Sequence, residues 1–327
     1  MKSTFEIGGI QVRSGSRSKG FLRVGPYFPY SRATLREYID IPFTVVNGVD
    51  DGSVFCVTGG LHGTEYTGIA AAIRLSSDVK PDDLKGTLVI VPVVDIPAYQ
   101  ERNYICPIDG VNPQGIFPGS SDGSICYQII HKVFQELIKR ADYYVDLHGG
   151  DIHESEICYS HFYRTGDDTI DEKSEGIARA LGFKYIVPHA PGSINGYSYS
   201  VACEHGISAA LSECGSGDKL LLDEVSNVSE GLLNVMRYLN MIEGKPLKIE
   251  LPEIIERERI RVEHEGLLHY HVKVGDLLSE GDIIGEIKDL YGEVVETVRA
   301  PKKGIVSFMI HNPMVQRGES IIFYILR

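Results

Sequence analysis

Four side chains of this 327-residue sequence have the types and spacing for hydrolytic metal chemistry: His62, Glu65, His148 and Glu213. His62 and Glu65 stand three residues apart in TGGLHGTEYTG, where a strand-like apolar run gives way to a helical one, so both side chains can reach one ion. Zinc favours imidazole and carboxylate donors, and a catalytic zinc keeps three protein ligands with a fourth position open. His148 in DYYVDLHGG is the third candidate, at the carboxyl end of another strand-like run and followed by two glycines that would let a ligand approach the backbone. One zinc per chain is the expectation. H-x-x-E arises by chance, and a single His or Glu in a loop is ordinarily just solvated; two such segments at strand ends are what favour a site. Asp146 precedes His148 by two residues and shares its side of the strand, where it suits either orienting the imidazole or capping the strand. Glu213, at the end of the run ISAALSE, is the candidate general base, because a carboxylate in a partly dry cleft acquires the raised pKa that a proton shuttle needs. Without the metal motif it would read as an ordinary salt-bridged strand-end carboxylate.

These residues need elements that bring them together. Strand-like and helical segments alternate from GSVFCVTGG through EYTGIAAAIRLSSD, GTLVIVPVVD, SICYQIIHKVFQELIKRA, DYYVDLHGG and TIDEKSEGIARALG to ISAALSECG. This order predicts an α/β fold with a largely parallel sheet covered by helices, with chemistry at the carboxyl ends of the strands. EGKPLKIELPE interrupts the last helical stretch with a glycine and two prolines, which places a boundary between residues 1–245 and a second unit, 246–327. In that unit, short strands alternate with Gly-Asp turns, as in a small all-β module.

Taken in order, GGLHGTEYTG, DLHGG and LSECG resemble the zinc-ligand pair, third ligand and catalytic glutamate of the succinylglutamate desuccinylase and aspartoacylase family, relatives of the zinc carboxypeptidases. The resemblance spans essentially the whole chain. It implies a central twisted mixed sheet flanked by helices and followed by a small lipoyl-like barrel. It also implies hydrolysis of the amide bond of a small N-acyl amino acid or similar amide. Arg102, in VPVVDIPAYQERNY, falls where the family has an arginine that polarises the scissile carbonyl; a solvated loop arginine is the plainer alternative. IDGVNPQGIFPG resembles the segment that ordinarily reads N-L-N-R before F-P-G. That makes Asn112 and Gln114 the candidate substrate-binding residues and leaves Gly115 where the family carries a carboxylate-gripping arginine. Loss of that cation removes a contact worth roughly 1.5–3 kcal/mol. Either another basic residue such as Arg164 or Lys184 replaces it, or the substrate is not a free carboxylate at that position.

The segment from Cys158 to Tyr199, with His161, Tyr163, Arg164, His189, Tyr197 and Tyr199, suits either a mobile lid or an ordinary surface connection. The carboxyl-terminal module resembles biotinyl and lipoyl carriers, but Tyr291 occupies the hairpin tip where a carrier needs lysine, so a structural or homo-oligomer-forming role fits it better. Its His264, His269, His271 and His311 are scattered as packing or surface residues usually are.

A net charge of −13 opposes binding to nucleic acid, whose phosphates attract clustered Lys and Arg. No apolar run is long enough to span a bilayer, and the amino-terminal residues lack a secretory pattern. The six cysteines form no C-x-x-C pair, which suggests reduced thiols and a cytoplasmic protein; the family resemblance implies a small-molecule substrate. Two other readings compete: a carboxypeptidase for short peptides, disfavoured by Gly115, and a non-catalytic scaffold, disfavoured by the complete set of ligands and base.

Overall fold

The computed structural model describes residues 4–27, 38–217, 219–247, 253–255 and 257–326; part of the boundary expected at Gly244 to Pro252 lies outside the described residues. The chain opens with a small hairpin, β1 (Phe5–Ile7) and β2 (Ile10–Val12), and an antiparallel pair, β3 (Ser16–Val24) and β4 (Ile39–Asn47). Next come β5 (Asp50–Gly59), α1 (Tyr66–Asp78), β6 (Lys85–Val91), α2 (Ile96–Glu101), α3 (Ile125–Glu136) and β7 (Tyr143–His148). Then follow β8 (Glu154–Tyr163), α4 (Asp168–Ala180), β9 (Tyr185–His189), α5 (Ser198–Glu204), β10 (Ser208–Ser216) and α6 (Leu222–Tyr238). The remainder is all β: β11 (Glu253–Ile254), β12 (Arg257–Arg261), β13 (Gly266–Tyr270), β14 (Leu277–Leu278), β15 (Ile283–Lys288), β16 (Val294–Arg299), β17 (Gly304–Ile310), β18 (Met314–Val315) and β19 (Ser320–Leu326). No helix among the described residues is long and apolar enough to cross a membrane.

The centre of the main sheet is parallel, in the order β6, β5, β7, β10, and its strands are nearly continuous apolar runs because both faces are covered. Val89 and Val91 of β6 point into a core shared with α3 and α5, while Leu88 and Ile90 point into one shared with α1, α4 and α6. Each fully buried aliphatic side chain of this kind contributes about 1.5–3 kcal/mol. Antiparallel strands flank the parallel centre: β4 and β3 beyond β6, and β8 beyond β10. The sheet is therefore mixed, as the family resemblance implied and as strand patterning alone did not. Asp167 starts α4 by accepting hydrogen bonds from the amides of Thr169 and Ile170.

The carboxyl-terminal strands are not a detached unit. Phe308 of β17 pairs with Glu156 of β8, β19 pairs with β17, and β12 pairs with β19, so the main sheet continues across the chain's last third. A separate four-stranded sheet, β16-β15-β13-β18, closes over this extension around Leu268, Ile284, Val306 and Tyr324. A further apolar cluster of Tyr159, Tyr185, Ile255, Ile305 and Ile325 fills the seam between the two parts.

Two expectations change. Most of the Cys158–Tyr199 segment is built into the fold as β8, α4 and β9, neither a free connection nor a loop throughout, and its Ile194 and Tyr197 line the cavity. The six thiols are not all reduced, because Cys158 and Cys214 lie on adjacent antiparallel strands and are joined by a disulfide. Cys56, Cys106, Cys126 and Cys203 are free and buried.

Candidate metal centre and its cavity

β5 and β10 flank β7 in parallel register, with Gly59 opposite Leu147 and Glu213 opposite His148, so the segments after their carboxyl ends meet at one edge. Gly60 takes a left-handed conformation that turns the chain from β5 toward His62. Gly149 serves strand contact: a Cβ there would lie 2.5 Å from the carbonyl oxygen of Cys214, so glycine lets the backbone beyond β7 approach β10. That close approach explains this glycine better than access for a ligand.

At this edge, His62 Nδ1 lies 2.6 Å from one Glu65 oxygen and His148 Nδ1 lies 3.0 Å from the other. One ligand atom from each of His62, Glu65 and His148 falls within 4.8 Å of the other two, and all three side chains are buried. The outer nitrogens are occupied. His148 Nε2 is 3.1 Å from Asp146 Oδ2, and His62 Nε2 is 3.2 Å from Asn112 Oδ1. With each Nε2–H donated to an oxygen, both Nδ1 lone pairs are left facing Glu65, the tautomers that a cation would require. Asp146 is itself fixed by Thr58 Oγ1 at 2.6 Å and by the Ser198 hydroxyl. Burial raises the Glu65 carboxyl, but the two imidazoles beside it outweigh burial and leave it at about 2.

The three residues line a cavity of about 370 Å³. Glu213 lines it too, and burial raises its carboxyl to about 7, against the lowering influence of His148. Glu154 stands at about 7 for the same first reason, and burial together with Glu213 holds Glu156 well above the carboxylate range. His161 and His189 lie behind them with ring nitrogens 2.8 Å apart, and burial holds His161 well below its ordinary value and His189 at about 4.

Gln114 also lines the cavity, and its Oε1 is buried with no partner among the described residues. Asn112 sits beside His62, and its Oδ1 also accepts the Gln114 backbone amide at 2.9 Å, so it ties His62 to the segment that carries Gln114. Arg102 is not brought into the cavity. It ends α2 in a left-handed conformation, exposed to solvent, because the tight turn after that short helix directs it outward. Tyr104, two residues later, takes the inward place and stacks on His62 with ring centroids 3.9 Å apart. Neither suggested substitute for the missing arginine is there: Arg164 pairs with Glu175 at 3.6 Å and Lys184 lies over Tyr185.

Sequence reasoning missed the far wall. Arg257, Arg259, Phe308 and Phe323, all from the carboxyl-terminal strands, line the same cavity as the metal cluster. No local motif marks them. The pairing of β17 with β8 is what carries them to the site.

A family model described as the succinylglutamate desuccinylase/aspartoacylase catalytic domain matches residues 51–239, and one described as an uncharacterized protein conserved in archaea matches 253–327. The chain is 27% identical to the N-alpha-acetyl-L-2,4-diaminobutyric acid deacetylase of Halomonas elongata over 288 residues, covering 86% of this chain and 84% of the relative. Its fold matches a succinylglutamate desuccinylase from Silicibacter sp. TM1040 at a TM-score of 0.85 and 24% identity, covering 95% and 94% of the two chains. The product-bound ectoine utilization protein EutE (DoeB) of Ruegeria pomeroyi matches at 0.85 and 23% identity, covering 95% of each chain. The catalytic-domain match, spanning more than half of the sequence, shows that the chain belongs to the succinylglutamate desuccinylase/aspartoacylase family of amidohydrolases.

Proposed function

We propose that this chain is a zinc-dependent deacylase that hydrolyses the amide bond of a small N-acyl amino acid, with His62, Glu65 and His148 as metal ligands and Glu213 as general base. The observation that carries this reading is the convergence of two imidazole Nδ1 atoms on one buried carboxylate, beside a second carboxylate that titrates near neutrality. A cation fits here on the chemistry of the donors: two nitrogens and a carboxylate are a zinc set, and both imidazoles are already oriented through their outer nitrogens. When bound, zinc supplies a Lewis acid and acidifies a water molecule.

The protein's own groups do the rest. Glu213 takes a proton from the attacking water as its oxygen bonds to the acyl carbon. It then delivers that proton to the departing amine nitrogen as the C–N bond breaks. Asp146 and Asn112 hold the ligand imidazoles in orientation. Gln114 offers an unpaired amide oxygen to the substrate. The relative in Halomonas elongata is named for an N-acetylated diamino acid, which supports an acyl amino acid as the substrate class. In this reading the hydrolase unit ends near residue 245, and 246–327 forms a lipoyl-like barrel that forms one wall of the cavity, supported by the cavity-lining residues of β12, β17 and β19.

The test is elemental analysis with a hydrolysis screen of N-acyl amino acids. About one zinc per chain and turnover of an N-acyl amino acid are expected, with both lost in His62→Ala. A metal-free protein that added zinc does not activate, or full activity in His62→Ala, refutes the reading.

A further inference from the structure

We propose that Arg257, delivered by the carboxyl-terminal module, binds the free carboxylate of the substrate and makes the enzyme selective for N-acyl amino acids over their amides and esters. The inference rests on the hydrolase reading for the identity of the anion, but the receptor itself is built from contacts within the fold.

Arg257 lies on β12 and lines the cavity that contains His62, Glu65, His148 and Glu213. Its guanidinium carbon stands 4.7 Å from the ring centre of Tyr159 and 5.1 Å from that of Phe323, so two aromatic faces fix its plane. One nitrogen, Nη1, donates to the Tyr159 hydroxyl at 2.6 Å, and that hydroxyl donates to Glu156 at 2.8 Å. No carboxylate among the described residues lies within 4 Å of the guanidinium: the ion pairs formed there by arginine involve Arg23, Arg74, Arg164 and Arg179. Glu156, reached through Tyr159, and Glu213 act on this charge from beyond that distance, so the guanidinium has no direct anionic partner and its remaining donors are open to one. Five donors in a rigid fork, one of them engaged, leave the geometry for a bidentate carboxylate.

The charge layout agrees. Among the described residues that line the cavity, Arg257 and Arg259 are the only Lys or Arg, and two residues apart on one strand they share a face. His62, Glu65, His148 and Glu213 lie at or just beyond the carboxyl ends of β5, β7 and β10, while Glu156 sits on β8 next to the wall, so an N-acyl amino acid would span the cavity with its amide at the cluster and its carboxylate at β12. Gly115, which has no side chain to offer an anion, lies on a loop that reaches the cavity with the uncharged Tyr104 and Gln114. The cation has therefore moved from that loop to a strand more than a hundred residues later.

The experiment is calorimetric titration of the zinc-loaded full chain with a panel of N-acetyl-L-amino acids and the matching N-acetyl amino acid amides, in wild type, Arg257→Gln, Arg257→Lys and Tyr159→Phe. In wild type the acids should bind roughly 10- to 100-fold more tightly than the amides. Arg257→Gln should erase that preference while leaving amide affinity unchanged, Arg257→Lys should restore part of it, and Tyr159→Phe should reduce it by a smaller factor. Equal binding of acids and amides by wild type, binding of no panel member, or equal loss for both in the folded Arg257 variants would overturn the proposal and leave Arg257 a charge-balancing residue for Glu156. Turnover is read separately. Selective acid binding through Arg257 without hydrolysis refutes the hydrolase reading alone, whereas hydrolysis indifferent to Arg257 refutes this inference alone.

Discussion

The two ends of the cavity are built by opposite strategies. The ligand end comes from parallel strands whose carboxyl ends lie side by side in the sheet, so short motifs at those ends meet as soon as the sheet forms. The opposite wall comes from β12, β17 and β19, and it reaches the site only because an antiparallel extension runs from β8 through β17 to β19. In the proposed reading the first end supplies chemistry and the second supplies shape and charge. Mutations at the ligand end should thus act on turnover and metal, and mutations on the wall should act on which substrate binds.

Glu213→Gln is the sharpest test of this division. It should lower kcat by about 10²- to 10⁴-fold while metal content and substrate affinity stay near wild type, as measured by elemental analysis and calorimetry. A comparable fall in metal content would place Glu213 among the ligands instead. Asn112→Ala should weaken zinc binding by roughly 10- to 100-fold in chelator competition, because His62 loses the acceptor for its outer nitrogen. If KM rises and metal affinity holds, Asn112 touches substrate instead, and the substrate-binding surface extends to the His62 side of the cavity. On the wall, Phe323→Ala removes the ring that lies 5.1 Å from the Arg257 guanidinium and 4.9 Å from that of Arg259. It should raise KM for acyl amino acids roughly 2- to 10-fold with kcat nearly unchanged; a matching loss in kcat would erase the division.

The mildest prediction concerns stability. Burial lowers the His189 pKa to about 4, with the Arg257 charge adding to it, so the folded state holds this ring neutral. An unfolded histidine titrates near 6.5 and takes up protons first as pH falls. The stabilising preference for the neutral ring is complete above pH 6.5 and is lost progressively down to about 4, by on the order of 2–3 kcal/mol. Denaturant melts of wild type and His189→Gln across this window should converge as pH drops. Parallel curves would show that His189 is not held neutral.

What the sequence made legible follows the same line. His62, Glu65, His148 and Glu213 were visible because each sits in a short segment at the end of an apolar strand, and parallel strands bring their ends together by default. Arg102 was misplaced because loop geometry after a six-residue helix decides which side chain faces inward, and a shift of two residues puts Tyr104 there instead. β8, antiparallel to β10, and β9, paired with β8, were missed because a strand flanked by Gly-Gly-Asp and Thr-Gly-Asp turns reads equally as part of a long connection until its partner strand is known. The Cys158–Cys214 bond was hidden with them, since it depends on β8 lying beside β10. Arg257 carries no signature at all. An arginine on a polar strand reads as solvated until the partner strand is known.

The continuity of the sheet has a consequence during synthesis. When the ribosome has delivered Glu213, the ligand end can assemble, yet Phe323 is still 110 residues away. At roughly 5–20 residues per second, that interval is on the order of ten seconds. Throughout it, the edge of β8 that will receive β17 stands unpaired, a template for any passing strand. A nascent chain therefore passes through a stage in which the His62, Glu65, His148 and Glu213 end is present without the Arg257 wall, and it depends on its own last strands to end the exposure.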